Sequence, residues 1–274
     1  MSDPAIEIPP GTEIDDETGC PKSVLGKTQL LLAAFGAGAI RLGLTELSQR
    51  SGVSKATCYR LAQELVHWGL LERVGSSYQL GLRVFELGQR VPASAILRRV
   101  SRPALVDLYA ATRATVHLVV PDGTHVMFLE KIAGAADVLT YSEVGARLPA
   151  SCSASGKLFL ALRPDAPKAF AAFDRQGLVR PTTRSVATVE ALRAQLLDVR
   201  QHGYAVELEE MLVGYSTLAV PLVDPYGMVY ASVSVTLPTN RLIIGRLLPQ
   251  MRAATAFISR AVDACVARLP GVAA

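Results

Sequence analysis

The residues most able to do chemistry gather in the second half of the chain. Ser153-Ala154-Ser155-Gly156 stands directly before the apolar run Leu158 to Leu162. If that run is a helix, its first turn presents unpaired backbone amides, and those amides with Lys157 beside them suit a carboxylate. Ser232, Ser234 and Thr236 alternate with Ala231, Val233, Val235 and Leu237, so in a strand three hydroxyls share one face. That face fits a solvated surface as well as a ligand wall, because half-exposed antiparallel strands alternate in the same way. Cys152, with His117 or His202 as base, can be drawn as the nucleophile of a Cys-dependent hydrolase. Little else supports catalysis. Gly156-Lys157 is no phosphate loop, since Leu158 stands where Ser or Thr is needed, and Ala154 breaks a Ser-x-x-Lys pattern. Cys152 reads better as a packed thiol and the chain as no enzyme.

Cys20, Cys58, Cys152 and Cys265 are far apart, and His67, His117, His125 and His202 show no paired ligand spacing. No disulfide framework, metal or cofactor is expected. The net charge of +4 is uneven: residues 1–21 carry six acidic and no basic side chains, whereas residues 22–102 carry twelve basic against four acidic. A basic block of that kind is where nucleic acid binds. No apolar run reaches membrane-spanning length. The acidic start is unlike an export signal, so a cytoplasmic location is expected.

The elements that must carry these residues follow from periodicity. Residues 1–21, rich in acid and proline, read as a disordered tail. A first helix begins at the cap Ser23 and ends at Gly36. A second opens with Thr45 as cap and stops at Ser51-Gly52. A third runs from Ser54 to Trp68 with Cys58, Leu61, Ala62 and Leu65 on one face. Leu70 to Val74 and Tyr78 to Leu80 flank a Gly75-Ser76-Ser77 turn, a short hairpin. Helical patterns at Leu82 to Arg90 and Ala95 to Arg113, interrupted at Pro92 and Pro103, suggest a jointed connector. Beyond it, strands are expected at Thr115 to Val120, His125 to Ile132, Val138 to Val144, Tyr204 to Glu209, Thr217 to Val223 and Met228 to Leu237. Helices are expected at Gly156 to Arg163, Thr188 to His202 and along the stripe Leu248, Met251, Thr255, Ile258, Val262 and Cys265. The class is α+β: a winged helix-turn-helix over 22–91, a helical linker over 92–113 and an antiparallel-sheet domain over 114–274.

A helix-turn-helix needs a small residue in its first helix, a glycine at the turn and apolar residues where the helices meet; Ser48, Gly52, and Leu47, Val53, Cys58 and Leu61 fill these roles. Ser54, Lys55, Ala56, Thr57, Tyr59, Arg60 and Gln63 then face outward, with Arg60 and Gln63 suited to base edges and Arg73 in the hairpin to phosphate. The expected partner is double-stranded operator DNA.

With these motifs in place the chain resembles the IclR family of bacterial regulators from about Lys22 to its last helix. The resemblance is carried by Leu44-Thr45-Glu46-Leu47, Gly52 to Thr57 with Tyr59-Arg60-Leu61, Tyr78-Gln79-Leu80-Gly81, Gly145-Ala146-Arg147-Leu148-Pro149, Ser153 to Lys157, Gly203-Tyr204-Ala205, Glu209-Glu210, Gly214 and Ala219-Val220-Pro221. It implies a GAF-like effector-binding domain, a homodimer or dimer of dimers, and action as a repressor of a catabolic operon or as an activator of an aromatic-acid degradation operon. It also implies an effector site at the amides of Ala154, Ser155 and Gly156, with Glu207 in place of the family's aspartate, Thr217 in place of a cysteine, and Ser234 and Thr236 in place of two serines. Those differences reshape the pocket, so the effector's identity does not transfer. The residues favour a small carboxylate or aromatic acid offering one carboxylate or oxo group and, elsewhere, an O–H or N–H donor. Glu207 as an anion would oppose a second carboxylate.

Overall fold

The computed structural model of the chain describes residues 21–36, 39–134 and 139–266. Residues 1–20 of the expected acidic tail lie outside them. The chain divides into two compact units, Met1–Pro92 and Ala93–Ala274.

The first unit follows a helix, short-strand, helix, helix, hairpin order. Helix α1 (Val24–Ala33) opens where the Ser23 hydroxyl accepts the Gly26 amide at 3.0 Å. Strand β1 (Leu42–Gly43) leads directly into α2 (Leu44–Ser51), and α3 (Lys55–His67) follows the left-handed Gly52. Thr45 is not the cap of α2. Gly43 is, because β1 pairs with the hairpin and keeps Gly43 extended up to the first helical residue; Glu46 then accepts the Gly43 amide at 2.9 Å. Strands β2 (Leu71–Val74) and β3 (Ser77–Leu80) form the hairpin, giving a three-stranded antiparallel sheet β1-β3-β2. One core made chiefly of Leu31, Leu47, Val53, Cys58, Leu61 and Leu71 holds the unit together. The turn between α2 and α3 is braced by the Ser48 hydroxyl donating to the Val53 carbonyl and the Ser51 hydroxyl to the Leu47 carbonyl, both at 2.6 Å. Helix α4 (Leu82–Gln89) closes the unit and buries none of its residues.

The second unit is a six-stranded antiparallel sheet in the order β6-β5-β4-β9-β8-β7. Helix α5 (Pro92–Thr112) precedes β4 (Thr115–Asp122) and β5 (His125–Ile132); the edge strand β6 (Arg147–Pro149) then leads into α6 (Ala154–Leu162), α7 (Ala166–Gln176) and α8 (Val189–His202). Strands β7 (Ala205–Leu208), β8 (Tyr215–Val223) and β9 (Val229–Pro238) complete the sheet before the last helix, α9 (Ile244–Val266). Helices α6, α7 and α8 cover one face, while α5 and α9 cover the other through Leu105, Leu108, Met251 and Ile258.

Three expectations fail here for identifiable reasons. Pro103 does not joint the connector, because α5 continues through it with the ring on the exposed side, where water can satisfy the freed carbonyl. The strand expected over Val138 to Val144 is absent from its described part. Thr140–Ser142 is a 3-10 turn, with the Ser142 amide and hydroxyl both donating to the Leu139 carbonyl, and the sheet edge is taken by β6; Val138 lies outside the described residues. Helix α7 was not anticipated although Pro167 sits in its first turn, where a missing N–H costs nothing.

Two glycines are required by contact rather than by dihedral angle. A Cβ at Gly81 would lie 2.1 Å from the Gly69 carbonyl oxygen, and one at Gly156 would lie 2.3 Å from the Cα of Ala150. Both obstacles are backbone and cannot rotate away. Gly81→Ala and Gly156→Ala are each expected to lower unfolding free energy by about 2–3 kcal/mol through overpacking. Urea denaturation followed by circular dichroism checks this; an unchanged midpoint in either variant would show that the backbones part easily.

Candidate functional site

On the first unit the candidate residues share the outward side of α3. Lys55, Tyr59 and Arg60 are exposed, and Thr57 is half-buried with its hydroxyl 3.0 Å from that of Ser54. Ser54 occupies the cap position but makes no side-chain cap bond. Gln63 is drawn away from this surface: its amide nitrogen donates to the Tyr78 hydroxyl at 3.1 Å, so it ties α3 to the hairpin. Arg73 is exposed beside the hairpin turn and donates to the Gly75 carbonyl at 3.2 Å. The geometry therefore leaves Lys55, Tyr59 and Arg60 as the exposed candidates with long side chains on the helix.

In the second unit a narrow cavity of about 20 Å³ lies on the α6 face of the sheet, room for a water-sized guest until its side chains part. Ala154, Ser155, Glu207, Thr217, Ser234 and Thr236 all line it. They converge because the antiparallel register aligns Glu207 with Thr217 and Thr217 with Thr236 across three strands, while Ser234 lies opposite His117. The hydroxyl face of β9 is not solvated: Ser232, Ser234 and Thr236 are all buried, and so is the apolar face. Gly156 stands apart from the other candidates. Its amide is taken by the Ser153 hydroxyl at 3.2 Å, which leaves the first-turn amides of Ala154 and Ser155 without intrahelical acceptors.

A polar chain runs along the sheet wall. One Glu207 oxygen accepts the Thr217 hydroxyl at 2.9 Å and the other the Glu210 amide at 2.8 Å, and Thr217 lies 3.0 Å from the Thr236 hydroxyl. Burial pushes the Glu207 carboxyl from 4.5 up to about 7, with the two donated hydrogen bonds holding back part of the rise. Burial thus makes the Glu207 carboxyl easier to protonate than an exposed one. Lys157 does not serve the cavity. Its ammonium is buried in an ion pair with Glu210, whose other oxygen accepts the Val186 amide at 3.3 Å.

Cys152 is fully buried against the sulfur of Met211 at 3.3 Å, and burial together with the charge of Glu210 pushes its thiol up to about 12. The hydrolase pairing is not formed. His117 instead bonds the Ser142 hydroxyl at 3.0 Å and packs on Phe128 with ring centroids 4.7 Å apart. His117 and Ser142 line the cavity and were missed as wall residues; the only sequence signal was a histidine on an otherwise apolar strand. Among the described residues no group of three or more His, Cys, Asp or Glu side chains is placed to hold a metal. Nor is any helix among them long and apolar enough to cross a membrane.

Residues 24–75 match the IclR helix-turn-helix domain and residues 89–263 match the bacterial transcriptional regulator IclR C-terminal domain. The chain belongs to the IclR family. Among its IclR relatives, the HTH-type transcriptional regulator KdgR of Dickeya chrysanthemi is 35% identical over 231 residues, covering 84% of this chain and 75% of that protein. The p-hydroxybenzoate hydroxylase transcriptional activator of Acinetobacter baylyi is 29% identical over 237 residues, covering 83% and 87%. An IclR homolog of Microbacterium hydrocarbonoxydans, solved in complex with 4-hydroxybenzoate, superposes with a TM-score of 0.80 at 26% identity, covering 88% of this chain and all of that one.

Two consequences of this IclR site are measurable. Lys157→Met strands a buried carboxylate and should cost about 3–5 kcal/mol, whereas adding Glu210→Leu should recover most of it; equal losses in single and double variants would deny the pair its energetic role. Glu207 is neutral more readily in the folded than in the unfolded chain, so wild-type stability falls as pH rises from 4.5 towards 7 and levels off above. Relative to Glu207→Gln, the loss should be on the order of 3 kcal/mol. Urea denaturation from pH 4 to 8 reads it, and parallel pH curves would contradict it.

Proposed function

We propose that the chain is a ligand-responsive repressor of a catabolic operon whose α3 reads DNA and whose α6-side cavity binds a small organic acid. The observation that carries this reading is the convergence of the free Ala154 and Ser155 amides with Glu207, Thr217, Ser234 and Thr236 around one buried cavity. The amides suit one carboxylate or oxo group, and with Lys157 committed to Glu210 they hold it alone. Ionised Glu207 accepts from a ligand hydroxyl or amine, and the hydroxyls fix its orientation. The 4-hydroxybenzoate complex of the Microbacterium homolog and the Acinetobacter activator favour one second reading, an activator of aromatic-acid degradation. The protein acts in the cytoplasm, as a homodimer or a dimer of dimers. Its winged units pair through apolar side chains left uncovered within the first unit: Leu25 of α1 and Leu82 and Phe85 of α4 are more than half exposed.

The test is titration of the protein against its own upstream intergenic DNA at two salt concentrations, with and without small mono- and dicarboxylates and aromatic acids. Binding should be sequence-selective and steeply salt-dependent, and one monocarboxylate should alter it. Arg60→Ala should cost about 1–3 kcal/mol and relax selectivity at one base position, whereas Lys55→Ala should weaken binding to all sequences alike. A reporter fused to the same promoter assigns the sign of regulation: expression that rises when the protein is deleted assigns repression, and expression that falls assigns activation. Tight binding of a dicarboxylate that disappears in Glu207→Ala would refute the ligand chemistry, and absence of any selective binding would refute the whole reading.

A further inference from the structure

A second cavity lies on the opposite side of the same sheet. It has a volume of about 220 Å³ and is bounded by the last turn of α5, the end of β9, the turn through Asn240 and Arg241, and the first two turns of α9. Consecutive residues of a strand point to opposite faces, and β9 shows this directly: Thr236 lines the first cavity and Leu237 the second. The two spaces are thus separate and back onto one another across one strand.

Its chemistry is one-sided. Leu237 and Leu247, both buried, give it an apolar floor, and Ala111 of α5 extends that floor. Arg241 and Arg246 stand on its exposed rim, and among the described residues no carboxylate lines it. Among the described residues neither rim arginine is placed in an ion pair with a carboxylate, so both guanidinium groups are available to an anion at the cavity mouth. Gln250 adds an independent signal. Its amide nitrogen donates to the Arg246 carbonyl at 3.3 Å, while its amide oxygen is buried with no partner. An orphaned buried acceptor costs free energy until a donor arrives. Two uncompensated guanidinium groups over an apolar floor, with one acceptor awaiting a donor, describe an amphipathic anion.

We propose that this cavity is a second small-molecule site, taking a singly charged carboxylate that carries an apolar body and one hydroxyl or amino donor. The carboxylate pairs with Arg241 and Arg246, the body rests on Leu237 and Leu247, and the donor satisfies the Gln250 oxygen. Since Ala111 and Thr112 belong to the last turn of α5, occupancy here bears on that helix directly, independently of the first cavity.

The experiment is calorimetric titration of the full-length protein with 4-hydroxyphenylacetate, phenylacetate and 4-cresol at millimolar concentration. The first has all three features, the second lacks the donor and the third lacks the charge. Binding of 4-hydroxyphenylacetate should survive Ser234→Ala in the first cavity and weaken about tenfold or more in R241A/R246A, whose exposed side chains should leave the melting temperature unchanged. Gln250→Leu should erase the preference for 4-hydroxyphenylacetate over phenylacetate, and 4-cresol should bind weakest. The site is refuted by absence of binding, by binding indifferent to R241A/R246A, or by loss confined to Ser234→Ala. Sedimentation of R241A/R246A as a smaller species would instead make this face a contact between copies of the chain, and would refute it too. Because the first cavity is proposed to take ligands of the same class, the R241A/R246A comparison is repeated in the Ser234→Ala background, where the remaining binding reports the second cavity alone.

Discussion

The second unit is organised by a sheet that has no wet face. Helices cover both sides, so every polar side chain on its strands must find a partner inside the protein or leave free energy unrecovered. That constraint explains the row of Glu207, Thr217 and Thr236 in mutual hydrogen-bond contact across three adjacent strands. It also explains why Lys157, one of the largest fully buried side chains, is matched to Glu210, and why Glu210 is in turn held by the Val186 amide and the Ser185 hydroxyl. A hydrophobic replacement of such a pair is commonly as stable or more so. Stability alone therefore does not account for the Lys157–Glu210 pair.

The first unit solves a different problem with fewer residues. A small core must set the angle between two short helices, and it does so by removing freedom from the turn. Gly52 takes the left-handed conformation, while the Ser48 and Ser51 hydroxyls consume carbonyls that water would otherwise claim. The hairpin is locked to α3 by the Gln63–Tyr78 bond and by the close approach of Gly81 to Gly69. The exposed residues of α3 thus stand on a frame whose parts are each tied at two points.

Much of this was legible in the sequence because burial leaves a period. Cys58, Leu61, Ala62 and Leu65 report a helix, and the alternation through β9 reports a strand, whatever lies across from them. Periodicity is silent about partners, and several of the failures lie there. Thr45 looked like a cap because nothing in the sequence shows that Gly43 pairs with Ser77. Gln63 looked like a base reader and Lys157 like a ligand group because their partners, Tyr78 and Glu210, are 15 and 53 residues away. The Val138 to Val144 segment is apolar enough for a strand, yet Ser142 and Lys131 both spend donors on the Leu139 carbonyl and fold it into a turn. Alternation in β9 likewise did not decide between a solvated face and a ligand wall, since only the covering helices make that choice.

The same geometry dictates how an event in the first cavity reaches α5. The cavity opens on the α6 side of the sheet and α5 packs on the other, so no ligand there can touch α5 directly. The signal must pass through strands, and β9 supplies the route, with Ser234 and Thr236 facing the cavity and Val233, Val235 and Leu237 facing the core that α5 shares with α9. A close-packed core does not deform gradually but shifts between discrete packings. A ligand bound there as proposed would act on α5 only by shifting strands whose reverse faces pack in the core that α5 shares. The buried polar groups on one face of the sheet and the apolar packing on the other are therefore carried by the same strands, so neither can be rearranged without the other.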